Sequence, residues 1–148
     1  MSRRYSVDGQ DTNTDETSIL GIVSATTIRP KVYDIMATGY GTPGDYQAKY
    51  IVNRITAAGT STAVTPQALD PADPASLATC GYAHSAEPTY TANAVMLVIA
   101  RNMRHPYRWV AIPGREIVLP ATAANGVGVL VKEVSTAWTD NVCIHFEE

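Results

Sequence analysis

Short runs of β-branched and aromatic residues recur along the chain, and turn-forming residues separate them at short intervals. Such runs are typical of strands, because these side chains fit a pleated, half-buried surface. Two runs, Val95–Ile99 and Val129–Val131, are continuously apolar, as expected for strands covered on both faces. The pattern predicts an all-β sandwich or barrel of about eight strands, at Ser18–Ala25, Lys31–Thr38, Tyr46–Ala57, Ala94–Asn102, Arg108–Ile112, Glu116–Leu119, Gly128–Val134 and Asn141–Phe146.

Length and charge narrow the possible functions. The 148 residues are enough for one domain with its own core, without metal or disulfide staples. The 11 Lys and Arg residues against 14 Asp and Glu give a net charge of -3, so no basic excess favours nucleic-acid binding. No stretch reaches the about 18 apolar residues of a membrane-spanning helix, and the start lacks the apolar run of a signal peptide. We expect a soluble protein of the cytosol without nucleic-acid or membrane partners.

Two segments are predicted to lie outside regular structure. Residues 1–16 are mostly polar and predict an extended, loosely attached N-terminal arm. Residues 17–148 are then a single β-sandwich domain. Within it, residues about 60–93 hold four prolines among Ala, Asp, Ser and Thr, which predicts one long Pro-rich loop.

No pattern in the sequence favours catalysis. Gly39–Gly44 matches a dinucleotide fingerprint, but the residues after it alternate as in a strand, so we interpret the segment as a turn. The histidines lack metal-ligand spacing; His84 with Glu87 is the nearest to a ligand fragment, and such a lone histidine is more often a hydrogen-bonding residue. No nucleophile motif is present. We therefore expect no enzyme, no cofactor, no metal and no small-molecule substrate.

The two cysteines, Cys80 and Cys143, are interpreted as buried small side chains, with a bridge between them left open. The most basic stretch runs from Arg101 to Arg108 and includes Arg104 and Tyr107. It either meets an acidic partner surface, with aromatic anchors, or forms a solvated corner between strands.

Six segments together resemble a group of tailed-bacteriophage virion proteins, the small capsid decoration or cement-like proteins. The resemblance covers most of the chain from about residue 28, and its motifs are structural rather than catalytic. The segments are Arg54–Thr62, Thr65–Pro74, Glu87–Thr91, Arg108–Gly114, Leu119–Gly126 and His145–Glu148.

This resemblance implies a jelly-roll-like antiparallel β-sandwich on the outside of an icosahedral head. It implies a homotrimer at local threefold positions, assembled in the host cytoplasm, with the major capsid protein as partner. The capsid or subunit contacts are expected on the arm, on the Pro-rich loop and in the basic stretch. The candidate residues are Arg3, Arg4, Tyr5, Asp70, Asp73, Arg104 and Tyr107.

Two other functions share this architecture. A tail-associated receptor- or sugar-binding module would also be a small β-sandwich, with Trp109, Trp138 and the eight tyrosines available to stack on sugar rings. A cupin-like enzyme would have a similar fold, because fold does not fix function. Glycan binding that depends on tryptophan would favour the first, and a stoichiometric metal the second.

Overall fold

The structure is a computed structural model, and it describes residues 2–13, 16–42, 44–132 and 138–148. Within these residues the chain forms strands and turns, with no helix, and none of them lie in a helix long and apolar enough to cross a membrane. The predicted all-β class is therefore confirmed. The strands are β1 (Arg4–Asn13), β2 (Thr17–Val23), β3 (Lys31–Tyr40), β4 (Gln47–Ala57), β5 (Thr60–Val64), β6 (Gln67–Ala68), β7 (Thr79–Ala86), β8 (Thr89–Asn102), β9 (Tyr107–Val110), β10 (Ile117–Val118), β11 (Gly126–Lys132) and β12 (Trp138–Glu147).

The strands form two six-stranded antiparallel sheets that pack face to face as a sandwich. In the first sheet the order is β10-β3-β12-β1-β6, and β9 also pairs with β3. In the second sheet the order is β5-β7-β2-β11-β4-β8. Burial alternates strictly along β12, whose inward side chains face the second sheet, while nearly all of β11 is buried. The large fully buried side chains of this core include Tyr5, Ile19, Leu20, Ile35, Tyr50, Val52, Leu119, Ile144 and Phe146.

Most predicted strands agree with the structure to within a few residues. The predicted strand Gly128–Val134 matches β11 as far as Lys132, and its last two residues lie outside the described part of the chain. After Gly44 the chain enters β4 at Gln47, as the turn interpretation of Gly39–Gly44 requires; Pro43 is not among the described residues.

The predicted N-terminal arm is wrong. Residues 4–13 are β1, which pairs along its whole length with β12 and also with β6. Tyr5 and Val7 are buried in the core, and Tyr5 stacks on Phe146 with ring centroids 5.4 Å apart. Gly9 lets the second sheet approach closely, because a Cβ there would stand 2.6 Å from Cβ of Tyr82. Buried residues at every second position, from Tyr5 to Gly9, thus form a strand despite the polar composition.

The predicted loop at 60–93 is also wrong in most of its length. It contains β5, β6 and β7, and β8 already begins at Thr89. Between β6 and β7, residues 69–78 form no strand, and side chains of Tyr5 and Glu148 anchor them. The Tyr5 hydroxyl donates to the Pro74 carbonyl at 3.1 Å, and the Glu148 carboxylate accepts the amide N–H groups of Leu77 and Ala78 at 3.2 and 3.0 Å.

Candidate interaction site at one end of the sandwich

The structure divides the predicted contact residues between the two ends of the sandwich. Arg4, Asp70 and Asp73 line one concave surface where β1 begins, with Arg3 beside them on the chain. There the Arg4 carbonyl accepts the Leu69 amide at 2.8 Å. The prediction that Tyr5 makes an external contact is wrong, because its ring is in the core.

Asp70 and Asp73 form a turn. The Asp70 carboxylate accepts the Ala72 amide at 2.9 Å, and the Asp70 carbonyl accepts the Asp73 amide at 3.0 Å. This local bonding is what Asp-Pro sequences usually provide. These two carboxylates therefore shape the segment.

Arg104 and Tyr107 lie toward the opposite end, where β3 ends and β4 begins. We call Tyr40, Asp45, Tyr46, Arg104 and Tyr107 the tyrosine end. Its three tyrosine residues are 56, 44 and 39 % exposed, in chain order. Arg104 Nε lies 3.2 Å from the Asp45 carboxylate, and the Tyr46 carbonyl accepts the Met103 amide at 2.9 Å, so the β3–β4 and β8–β9 loops are bonded to each other. Exposed Tyr and Arg are the residue types enriched in protein interfaces.

A buried triad of Tyr50, Arg101 and Asp140 lies behind the tyrosine end and joins the two sheets. Tyr50 and Arg101 belong to the second sheet and Asp140 to the first. Arg101 Nη2 lies 3.6 Å from Asp140 Oδ1 and donates to the Tyr50 hydroxyl at 2.5 Å, while that hydroxyl donates to Asp140. The guanidinium carbon stands 4.9 Å from the Tyr50 ring centroid, a cation–π distance.

Arg101 also holds the loop that carries Arg104. Its Nη1 donates to the carbonyls of Asn102, Met103 and His105 at 3.3, 3.0 and 2.8 Å. Arg101 is only 7 % exposed, so the expectation that the whole basic stretch forms one surface is wrong for this residue. The buried guanidinium of Arg101 thus orders the backbone segment that carries Arg104 and leads into Tyr107.

Burial dominates the electrostatics of the triad. Burial raises the pKa of Asp140 to about 6, although the Tyr50 hydrogen bond and the Arg101 charge oppose the rise. Burial also raises the pKa of Tyr50, and the Asp140 charge adds to it. Among the described residues, Arg101 Nε, Asp140 Oδ2 and Trp138 Nε1 are buried without a hydrogen-bond partner. Trp138 is a core residue and is not the exposed stacking platform that a sugar site would need.

The basic stretch ends at a second ion cluster, on the outer face of the first sheet. Arg108 Nε donates to both Asp34 carboxylate oxygens at 2.9 and 3.1 Å, and Nη2 lies 2.5 Å from Oδ2. Nδ1 of His145 stands 3.3 Å from the same carboxylate. Asp34 is 2 % exposed although it faces outward, because these side chains cover it. The charge of Arg108 is thus matched within the protein.

The outer face of the second sheet carries a polar cluster of Ser18, His84, Glu87 and Tyr90. The Glu87 carboxylate accepts the Ser18 amide at 3.1 and 3.2 Å and the Ser18 hydroxyl as well. The Tyr90 hydroxyl lies 2.6 Å from the Ser18 hydroxyl, and burial raises the pKa of Tyr90 to about 12. His84 and Glu87 thus both bind Ser18, and no group of three metal-ligating residues occurs in the described ranges.

The sequence did not predict most of the residue contacts described above. Tyr40 and Tyr46 flank the Gly-rich turn, and that placement of aromatic residues beside a turn is the signal that could have identified them. No local sequence pattern indicates the triad, because Arg101 and Asp140 lie 51 and 90 residues after Tyr50 along the chain.

Comparison with family models, with curated proteins and with solved structures finds no match to this chain.

Proposed function

We propose that this protein is a bacteriophage capsid decoration, or cement, protein that binds the outer surface of the assembled head through the tyrosine end. The observation that carries the proposal is the display of three exposed tyrosines and an Arg104–Asp45 pair at one end of the sandwich, where Arg101 holds the β8–β9 loop from inside. Rigid aromatic side chains lose little conformational entropy on binding. Such a surface suits docking to a large, fixed partner.

The strand order supports a jelly-roll assignment. With β5, β6, β7 and β10 set aside, β1 to β4 alternate between the sheets, and β8, β9, β11 and β12 alternate again. The first sheet then reads β9-β3-β12-β1 and the second β2-β11-β4-β8. This is the order of two interlocked Greek keys, an architecture used by viral capsid domains.

The proposed mechanism is stabilisation by selective binding. A protein that binds only the assembled, expanded shell stabilises that state by its differential binding free energy. At a free concentration one hundred times Kd, this is about 2.7 kcal/mol for each site. Many copies on one shell then act together, although each contact is modest.

The first experiment is co-sedimentation with heads assembled from the major capsid protein of the phage. Tyr46→Ala and Tyr107→Ala should each bind about tenfold or more weakly, because they remove interface anchors. Leu69→Ala is the control, since Leu69 is equally exposed but lies at the opposite end. Unchanged binding by both tyrosine variants, or an equal loss in the control, would overturn the proposal. Truncation of residues 1–15 is no test, because it removes all of β1 from the first sheet.

We propose further that the protein is a homotrimer. Light scattering after size exclusion would then give a mass of about 48 kDa, three times the 15.9 kDa chain. A mass of one chain at all concentrations would contradict a trimer that forms before the protein reaches the shell.

A tail-associated sugar-binding module is the second candidate. Its sugar site would be built from the exposed tyrosines rather than from tryptophans. Tyr rings can stack on sugar faces as well as on protein. Saturable binding to a glycan array that is lost in Tyr46→Ala and Tyr107→Ala, with no binding to heads, would replace the first proposal by this one.

A further inference from the structure

A small cavity opens on the outer face of the second sheet, between β2, β7 and the end of β4. Its volume is about 90 Å³, and Gly21, Ile55, Ser61, Gly81 and His84 are among its lining residues. This equals the volume of about three water molecules in the liquid, at about 30 Å³ each. The cavity therefore admits a group of a few non-hydrogen atoms.

His84 presents a hydrogen-bond acceptor to this cavity. Its Nδ1 lies 2.9 Å from the Ser18 carbonyl oxygen, which can only accept, so the neutral imidazole carries its proton on Nδ1. Nε2 is then an unprotonated acceptor. It lies 3.5 Å from the point where a Cβ on Gly21 would stand, and among the described residues it has no hydrogen-bond partner.

Neither the backbone conformation nor the packing requires a glycine at position 21. The absence of a side chain there leaves free space. Gly81, Gly21 and Gly128 stand directly opposite one another on three adjacent strands. A Cβ on Gly81 would collide with Ser61, and a Cβ on Gly128 would stand 2.6 Å from the Tyr90 hydroxyl, so side chains of the protein already fill those two positions. Gly21 has no left-handed φ, and a Cβ there would meet its nearest atom at an ordinary 3.5 Å. A glycine inside a strand marks a bulge, a tight bend, or a site where another backbone or a ligand approaches closely.

We propose that this cavity binds a short, neutral, hydroxyl-bearing group whose O–H donates to Nε2 of His84. The carbon atoms of the group lie against Gly21 and against Cδ1 of Ile55, which stands 3.9 Å from the Cβ position of Gly21. A free small alcohol and the side chain of a threonine share this chemistry. The cavity is smaller than the 300 Å³ or more of a pocket for a drug-sized ligand, so only such a fragment enters.

The test is a titration followed by NMR, with propan-2-ol and acetone as probes of equal size. Propan-2-ol should shift the Gly21 amide and His84 ring signals in a saturable way. Acetone should bind about tenfold more weakly, because its oxygen cannot donate a hydrogen bond. No saturable shift, or equal affinity for the two probes, would overturn the proposal. N-acetyl-threonine amide, run in parallel, separates the two sources: saturation by it supports a partner's side chain, and its failure beside propan-2-ol supports a free alcohol.

Two variants remove the site in different ways. Gly21→Ala places a methyl group in the cavity at ordinary contact distances, so the fold should be kept while saturable binding is lost. His84→Asn keeps an N–H that can donate to the Ser18 carbonyl but has no atom at Nε2. His105→Asn, in an exposed loop, is the matched control. Binding retained in Gly21→Ala and His84→Asn would refute the assignment, and His84→Asn decides alone if Gly21→Ala does not fold. Neither result depends on capsid binding.

Discussion

Replacement of Arg101 by Met should lower the free energy of unfolding by about 3–5 kcal/mol at pH 7, because it leaves a buried carboxylate without its cation. Asp140 is 0 % exposed and Arg101 is 7 % exposed, so water does not screen this pair. The Met side chain keeps much of the apolar stem, and the variant tests the charge rather than the packing. It also removes the three bonds from Nη1 to loop carbonyls.

The size of this effect should depend on pH. Burial raises the pKa of Asp140 from 3.8 to about 6 in the folded protein. A group with a raised folded pKa stabilises the fold below its unfolded pKa, and this contribution is lost as the pH rises through the folded pKa. For Asp140 the loss between about pH 4 and pH 7 is on the order of 3 kcal/mol. Arg101 lowers this pKa, so without Arg101 the loss becomes larger and continues to higher pH.

Urea unfolding of the wild type and Arg101→Met at pH 5, 6, 7 and 8 measures both effects. The difference between the two proteins should grow from pH 5 to pH 8, and adding Asp140→Asn to both should shrink it, because the carboxylate that Arg101 neutralises is then absent. Arg104→Met is the control, since the Arg104 side chain is half exposed. A difference under about 1 kcal/mol, or one that is constant across this pH range, would refute the argument that Arg101 neutralises a buried Asp140.

Glu148→Ala should raise the rate of hydrogen exchange at the Leu77 amide by about tenfold, because the Glu148 carboxylate accepts that N–H. An unchanged exchange rate in a mass-spectrometric time course would contradict the anchoring of residues 69–78. Arg108→Ala should lower the urea midpoint, because it uncovers the buried Asp34 carboxylate, and Arg108→Lys should recover part of the loss; a midpoint equal to that of the wild type would count against this role. The Cys80 thiol is free and buried, and burial raises its pKa to about 12, so in a Cys143→Ser variant it should react with Ellman's reagent at pH 8 only after unfolding; rapid labelling of that folded variant would disagree with the placement of Cys80 in the core.

The strands that the sequence predicts best are those whose own residues carry the signal. β3 begins at Lys31 as predicted, and β4 ends at Ala57 as predicted. In both, β-branched and aromatic residues recur over ten residues or so, and turn residues follow or precede them. Local preference and position in the sheet agree there.

β1 and the triad could not be predicted in the same way, because distant residues decide them. β1 has two large apolar residues, and pairing with β12 on one side and β6 on the other supplies the rest of its stability. Arg101 is a charged residue in a basic stretch, and charged residues are seldom buried unless paired. Its partner Asp140 lies on another strand of the other sheet, and no spacing in the sequence connects them. The tyrosine end also depends on distant residues. The hydrogen bond from the Met103 amide to the Tyr46 carbonyl brings its two loops together.

The pairing of β1 with β12 also sets an order of events during folding. The register places Arg4 opposite Glu147 and Asn13 opposite Trp138, so β1 has to wait until β12 has been synthesised. Non-local strand pairs of this kind form slowly, on a timescale of milliseconds to seconds in all-β domains. Until then β1 exposes Tyr5 and Val7 together with the whole edge that pairs with β12. A nascent chain that stalls before residue 138 therefore presents a ready template for intermolecular strand pairing.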